Sequence, residues 1–390
     1  MFLSSKLPDV GVSIFSQMTA LALETGAINL AQGFPDYDPP LALREALARH
    51  ALAPGTHQYA PMPGLPRLRA AIAAQVARRQ PEAPAPDPDA EITITAGATE
   101  ALYAVLAAVV RPGDEVVVFE PAYDLYGPAI RLQGGVPRYV PLPAPHFRPD
   151  WEAVRRVLTP RTRLVLVNTP HNPSGAMFAD HDWHELNRLL AGTDALVLSD
   201  EVYEHLTFDG QPHRSARQHP ELRARSFVIS SFGKTYHATG WKAGYCVAPP
   251  ALSAEVRRVH QFLTFSVSTP TQHALADVLE ADPTDAHARD LSTFYQAKRD
   301  QFGALLAAAG WELLPVPGGY FQLARYARFS GADDLTFARE LARQHGVAVV
   351  PVSAFYHDGQ DDGLVRFCFA KEASTLAAAA ARLHLPHAPE

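Results

Sequence analysis

The stretch Phe227–Tyr245, FVISSFGKTYHATGWKAGY, sets an apolar run that reads as a strand directly before Gly233, Lys234 and Thr235. A GKT triplet suggests the phosphate loop of nucleoside triphosphatases. In that loop, G-x-x-x-x-G-K-[ST], the first glycine turns the chain so that backbone amides enclose a phosphate. Here Val228 stands at the first position, and no glycine occurs between Val228 and Phe232. The cradle cannot close, so Lys234 calls for another chemistry. A lysine just after a buried strand loses hydration, which favours the neutral, nucleophilic amine and makes Schiff-base formation accessible.

The pattern around this stretch is repeated along the chain. From about Leu65 onward, segments with helical spacing alternate with short apolar runs, as in βα units around a mostly parallel sheet. Strands are expected at EITIT (91–95), DEVVVFE (114–120), RLVLVN (163–168), DALVLSD (194–200), SFVISS (226–231) and AGYCVA (243–248). Helical spacing marks 65–79, 99–110, 124–133 and 181–190, and the Pro-rich piece 81–90 reads as a surface loop. A long helical stretch from about Asp285 to Ala309 leads to GGYFQLA, a helix near 335–344, and strands at VAVVP and LVRFCFA. We expect an α/β chain with a large domain over 46–284 and a smaller αβ domain over 285–390, joined by residues 1–45 as an N-terminal arm.

The chain has 390 residues, 47% hydrophobic and 19% charged, enough for a sizeable core. A net charge of -7 with no Lys/Arg block argues against a nucleic-acid surface, so anionic ligands must be held by particular residues. Cys246 and Cys368 each lie in an apolar run and read as reduced, buried thiols, and no metal site is expected. The start, MFLSSKLPDVGVSIF, lacks a basic segment followed by a long apolar one, and ALYAVLAAVV is too short to span a membrane. The expectation is a soluble, cytoplasmic protein.

Ligands of open parallel sheets sit beyond the carboxyl ends of the strands, and several polar groups fall there. Asp200 closes the run ALVLSD, where a carboxylate is costly without a cationic partner. A pyridinium nitrogen is such a partner, because an ionised acid keeps it protonated and able to accept electrons from a substrate carbanion. Tyr203 can reach the same ligand with its hydroxyl. Asn172, in the turn NTPHNPSG, can donate to a phenolate-type oxygen or simply stabilise the turn. GATE brings the amides of Ala98 and Thr99 to a helix N-terminus, a phosphate seat or an ordinary cap. Ser231 and Lys242 flank Lys234 and could complete that seat. A phosphate, a reactive lysine, a pyridinium partner and hydroxyl partners together describe pyridoxal 5'-phosphate. Arg366, inward-facing in LVRFCFA, suits a substrate α-carboxylate or a structural ion pair.

On these motifs the chain resembles the class I pyridoxal-phosphate aminotransferases of fold type I, from INLAQGFPD to VRFCFA, nearly its full length. The segment SSFGKTYHATGWKAGY is similar to that family's cofactor-lysine signature. Within the family it is closest to the methionine aminotransferases and the kynurenine/glutamine transaminases, through IFSQMTALA, INLAQGFPDYDPP, LTFSVSTPTQHALA and SAFYHDG. The resemblance implies a mostly parallel seven-stranded sheet in the large domain, flanked by helices. It implies Lys234 as the lysine that bonds the cofactor, Asp200 on the pyridine nitrogen, Tyr203 and Asn172 on the phenolic oxygen, and Tyr123 stacked on the ring. Ala98, Thr99, Ser231 and Lys242 would hold the phosphate. Tyr59, in HQYAPMPG, matches a tyrosine that reaches the neighbouring subunit's phosphate, which implies a homodimer with shared sites. Gly33 and Arg366 match positions that contact the substrate carboxylate. Two departures, small Ala98 and Thr99 where some kynurenine-type relatives carry an aromatic and Lys242 where aspartate-type enzymes use arginine, favour the methionine-type branch.

The expected activity is transfer of the amino group of methionine, or another large neutral or aromatic amino acid, to a 2-oxo acid in a ping-pong cycle. The segments expected to line the side-chain pocket contribute Ile14, Phe15, Phe34, Tyr37, Phe265 and Val267 but no lysine or arginine. The alternatives are a kynurenine aminotransferase, or a cysteine-S-conjugate β-lyase that shares every step up to the carbanion. A non-catalytic ligand-binding protein on the same fold is a different class of answer. The retained Lys234, Asp200 and Arg366 count against it, as do the few residues ahead of the fold, which leave no room for a DNA-binding domain.

Overall fold

A computed structural model describes residues 4–388. Seven strands form the larger sheet: β1 (Ile92–Thr95), β2 (Glu115–Glu120), β3 (Val136–Pro141), β4 (Thr162–Asn168), β5 (Leu196–Asp200), β6 (Ser226–Ser231) and β7 (Gly244–Val247). Their spatial order is β1-β7-β6-β5-β4-β2-β3. β7 is antiparallel to both its neighbours, and the other pairings are parallel. The α/β class and the mostly parallel sheet are therefore as expected.

The strands at the centre of the sheet carry unbroken apolar runs, VVVF, LVLV, LVL and FVI, because both faces are covered there. Successive side chains point to opposite faces. Thus Val117 and Phe119 of β2, Val165 and Val167 of β4 and Val197 of β5 join one core. Their neighbours Val116, Val118, Leu164, Leu166 and Leu198 join another, which is covered by the helix Gly97–Val109. Each such side chain contributes roughly 1.5–3 kcal/mol when fully buried. Strand β3 was not among the strands expected. Its sequence VPRYVP, carrying two prolines and partly exposed, belongs to the edge of the sheet, where a proline leaves no ladder position unpaired.

A smaller antiparallel sheet follows, made of β8 (Glu312–Leu313), β9 (Phe321–Arg325), β10 (Val350–Pro351) and β11 (Leu364–Cys368) in the order β10-β11-β9-β8. The long helix expected near Asp285–Ala309 spans Ala286–Ala308. Near the N-terminus, the helix Ile14–Thr25 starts where Ser13 Oγ accepts from the Ser16 amide and stops at Gly26, whose φ of 65° is the left-handed turn glycine allows. Ile28–Asn29 then pairs in parallel with Val347–Ala348, which brings Gly33 to the seam between the two sheets. Cys246 and Cys368 are free and buried, and among the described residues no helix is long and apolar enough to cross a membrane.

Candidate active site

The carboxyl ends of β4, β5 and β6 deliver Asn168, Asp200 and Ser231 to one cavity of about 360 Å³. After β6 the chain turns into the short helix Phe232–Thr235, which presents Lys234 to the same space. Lys234 Nζ donates to the Gly33 carbonyl at 3.0 Å and to Tyr320 Oη at 2.9 Å. Burial lowers its ammonium to about 8, with Arg366 and Lys242 acting in the same direction. Asp200 is buried, and its donors, Tyr126 Oη at 2.6 Å and the Val202 amide at 3.4 Å, are both neutral. Burial raises its carboxyl to about 6. The side-chain amide of Asn168 donates to the Asp200 carbonyl and its Oδ1 accepts from the Asn172 amide, which joins the two strand ends.

Across the cavity, Arg366 of β11 is 1% exposed. It donates through Nη1 to Asn172 Oδ1 and through Nη2 to the Ala31 carbonyl, each at 2.7 Å. Its Nε is buried with no partner, and the Phe321 ring lies 3.9 Å from the guanidinium carbon. Burial lowers this guanidinium to about 10. A buried cation held by two neutral oxygens, with its Nε unpartnered, suits an incoming carboxylate. Asn172 spends its oxygen on Arg366, which leaves its NH2 group for a ligand.

The helix Gly97–Val109 begins at the cavity with no side-chain cap, so the first-turn amides near Ala98 and Thr99 have no competitor there. Gly97 has a φ of 78°, and a Cβ built on it would stand 3.5 Å from Lys242 Nζ. Gly244 is tighter still, since its Cβ would meet the Ser230 carbonyl at 2.7 Å and the Ala98 amide nitrogen at 2.9 Å. Amides, an ammonium and the Ser231 hydroxyl thus converge where only glycines let the backbones approach.

The sequence model of the family described as aminotransferase class I and II matches residues 25–383. The chain belongs to that family. It is 52% identical to a methionine aminotransferase of Escherichia coli (strain K12), over 97% of each chain. The crystal structure of an Escherichia coli protein with methionine aminotransferase function superposes with a TM-score of 0.95, covering 98% of this chain and 99% of that one. A probable N-succinyldiaminopimelate aminotransferase of Mycobacterium tuberculosis is 39% identical over 97% of each chain. A kynurenine–oxoglutarate transaminase of Dictyostelium discoideum is 32% identical over 96% of this chain and 94% of that one. The chain is therefore an aminotransferase that depends on pyridoxal 5'-phosphate.

The cavity meets that cofactor's requirements on its own geometry. The uncapped amides with Lys242 and Ser231 fit a phosphate, and the buried Asp200 carboxylate lacks the cation that a ring nitrogen would supply. Of the aminotransferase residues named from the sequence, Lys234, Asp200, Tyr203, Asn172, Tyr123, Ala98, Thr99, Ser231, Lys242, Arg366, Gly33 and Phe15 all line it, as does Phe34. Four others do not. Ile14, expected on the substrate, packs against the main core instead, because the helix it opens turns that face inward. Tyr37 lies behind the wall, bonded to Tyr295 Oη at 2.7 Å. Phe265 sits edge-on to Tyr59, and Val267 belongs to the core around the helices Pro66–Arg79 and Thr269–Ala281. Tyr59 is 81% exposed and lines a separate groove with Ser266–Pro270.

Sequence reasoning missed Tyr126, Asn168, Tyr320 and Phe321. Asn168 closes β4 as Asp200 closes β5, and that parallel was a usable signal. The three aromatics gave none, since a tyrosine or phenylalanine in an apolar segment reads as core.

Proposed function

We propose that this aminotransferase takes the amino group from methionine, with phenylalanine and other large neutral amino acids behind it, and passes it to a 2-oxo acid. The supporting observation is the charge of the cavity wall. Lys234, Lys242 and Arg366 are the cationic side chains lining it among the described residues, and each already has a task in this reading. A distal carboxylate would enter without a counter-charge, at a desolvation cost of several kcal/mol. Two other ammoniums are tied to backbone carbonyls: Lys371 Nζ to that of Phe34 and Lys298 Nζ to that of Lys371, each at 2.7 Å. A thioether beside Phe15 and Phe34 gains aromatic contacts worth roughly 0.3–1.5 kcal/mol each. The methionine aminotransferase relative supports the same choice.

Bound in the cavity, pyridoxal 5'-phosphate supplies an aldehyde for the amines and a ring that draws electrons from the substrate Cα. In this reading Lys234 bonds the cofactor at rest. Asp200 would hold a proton on the ring nitrogen, Tyr203 and the side-chain amide of Asn172 would donate to the ring oxygen, and Tyr123 would pack on the ring face. Ala98, Thr99, Ser231 and Lys242 carry the phosphate. Arg366, with the Gly33 amide, orients the substrate carboxylate, and the freed Lys234 Nζ moves the proton from Cα. The reading further includes a homodimer with Tyr59 reaching the partner's phosphate, the domain limits 1–45, 46–284 and 285–390, and a cytoplasmic location, for which the reduced, buried thiols speak.

An amino-donor panel tests the substrate. Methionine should exceed aspartate by about a hundredfold or more in kcat/KM, the scale set by roughly 2.7 kcal/mol of differential transition-state binding. Equal turnover of aspartate or glutamate would overturn the assignment.

A further inference from the structure

The two hydrogen bonds of Lys234 share a third. Tyr320 Oη lies 2.5 Å from the Gly33 carbonyl oxygen, which can only accept. The hydroxyl proton is committed there, so toward Lys234 the Tyr320 oxygen acts as acceptor. A neutral primary amine has two N–H bonds and one lone pair. With one N–H on Gly33 and the other on Tyr320, the lone pair is the free corner of the nitrogen. An ammonium in the same place would carry a third N–H that this triangle does not accept.

The triangle is built from three separate parts of the chain. Lys234 follows β6, Gly33 comes from the N-terminal segment, and Tyr320 stands directly before β9. Gly33 is pressed against the neighbour of Tyr320, since a Cβ on it would lie 2.9 Å from Phe321 Cζ. The Tyr320 ring is fully buried, with ring centres of Phe321 at 4.8 Å, Tyr203 at 5.1 Å and Tyr295 at 5.7 Å. Packing of the ring therefore places the hydroxyl, and the hydroxyl is not needed to hold the ring.

We propose that Tyr320 is a positioning residue of this aminotransferase: whenever Lys234 is not bonded to the cofactor, the Tyr320 hydroxyl and the Gly33 carbonyl hold its amine with the lone pair free to take the substrate Cα proton. The inference rests on Lys234 being the cofactor lysine. Because Gly33 and Tyr320 reach the amine only when the N-terminal segment and the smaller sheet are seated on the larger one, the base is assembled by that seating.

The test uses Tyr320→Phe, which keeps the ring. In the cofactor-free protein, acetylation of Lys234 by acetic anhydride is followed by mass spectrometry across pH. The charged groups near the amine, Asp200 of β5, Arg366 and Cys368 of β11 and Lys242, are the same in both proteins. An ammonium loses a stronger hydrogen bond than an amine does, so the labelling midpoint should fall by about half a pH unit to one unit. In the holoenzyme, the half-reaction with the best donor of the panel should slow roughly tenfold to a hundredfold, with a larger α-deuterium isotope effect and unchanged donor affinity. Should Tyr320→Phe fold poorly, 3-fluorotyrosine at 320, a weaker acceptor of nearly the same shape, should move both readouts the same way by less. An unchanged midpoint and isotope effect overturn the proposal. Borohydride reduction separates the two levels: cofactor fixed to a lysine other than Lys234 overturns the lysine assignment itself.

Discussion

Burial drives the two ionisable groups at the floor of the cavity in opposite directions, Lys234 down to about 8 and Asp200 up to about 6, because each loses the hydration of its charged form. For Asp200 the consequence is a tension between function and stability. Its folded-state pKa lies above the ordinary value of 3.8, so its contribution to stability is fully present below that value and is lost as pH rises through about 6. Asp200→Asn keeps a partner for Tyr126 Oη and removes the charge. In the cofactor-free protein it should leave stability near pH 4 unchanged and raise it at pH 8, by up to roughly 3 kcal/mol for a carboxyl raised from 3.8 to about 6. Urea unfolding at the two pH values checks this, and equal stability at pH 8 would show the carboxylate to be well solvated. With cofactor bound, the same variant should lose turnover on the order of a hundredfold or more, as expected for removing a preorganised charge. Lys234→Ala should retain cofactor through the phosphate contacts yet lose transamination. Loss of binding as well would mean that the amides and Lys242 do not form the main seat. Lys234, Asp200 and Arg366 were legible in the sequence because each is a charge set in or beside an apolar run, where it needs a reason. Tyr126 and Tyr320 were not, because their hydroxyls sit on rings that packing alone would justify.

At the scale of elements, the phosphate seat depends on how closely β7 can approach the start of the helix Gly97–Val109. The Gly244 contacts with the Ser230 carbonyl and the Ala98 amide leave no room for a methyl group. Gly244→Ala should push that helix start away from β6, weakening cofactor affinity about tenfold or more for each roughly 1.4 kcal/mol of strain left unrelieved. Absorbance titration of the cofactor-free variant reads this directly, and wild-type affinity would show that the helix start is not the seat. The central strands could be located from sequence because a parallel sheet covered on both faces requires unbroken apolar runs. Strand β3 could not, because an edge strand meets only half of that requirement and tolerates the prolines and arginine of VPRYVP. Nor could the reversed direction of β7, since an apolar run reads the same in either sense.

For the molecule as a whole, the surface carries one further expectation. Tyr59 and Phe262 are 81% and 88% exposed, and Tyr59 packs edge-on against the half-exposed Phe265 at 5.2 Å. If Tyr59 serves a partner's site, mixing Tyr59→Phe with Lys234→Ala protein should yield dimers with one intact site and one carrying both changes. Activity should then rise above that of either variant alone. A fully active monomer in sedimentation at assay concentration would count against it. By itself the sequence determined the α/β class and singled out a lysine just beyond a buried strand with the charges that accompany it, because periodic burial and the cost of an isolated charge act on short stretches of chain. Only the tertiary structure decided which distant groups meet: Arg366 on Asn172, Lys234 on Gly33 and Tyr320, and Ile14 against the main core rather than in the cavity wall. Those contacts join segments as much as 201 residues apart, and their partners are chosen by how whole elements pack, a constraint that no local pattern of residues carries.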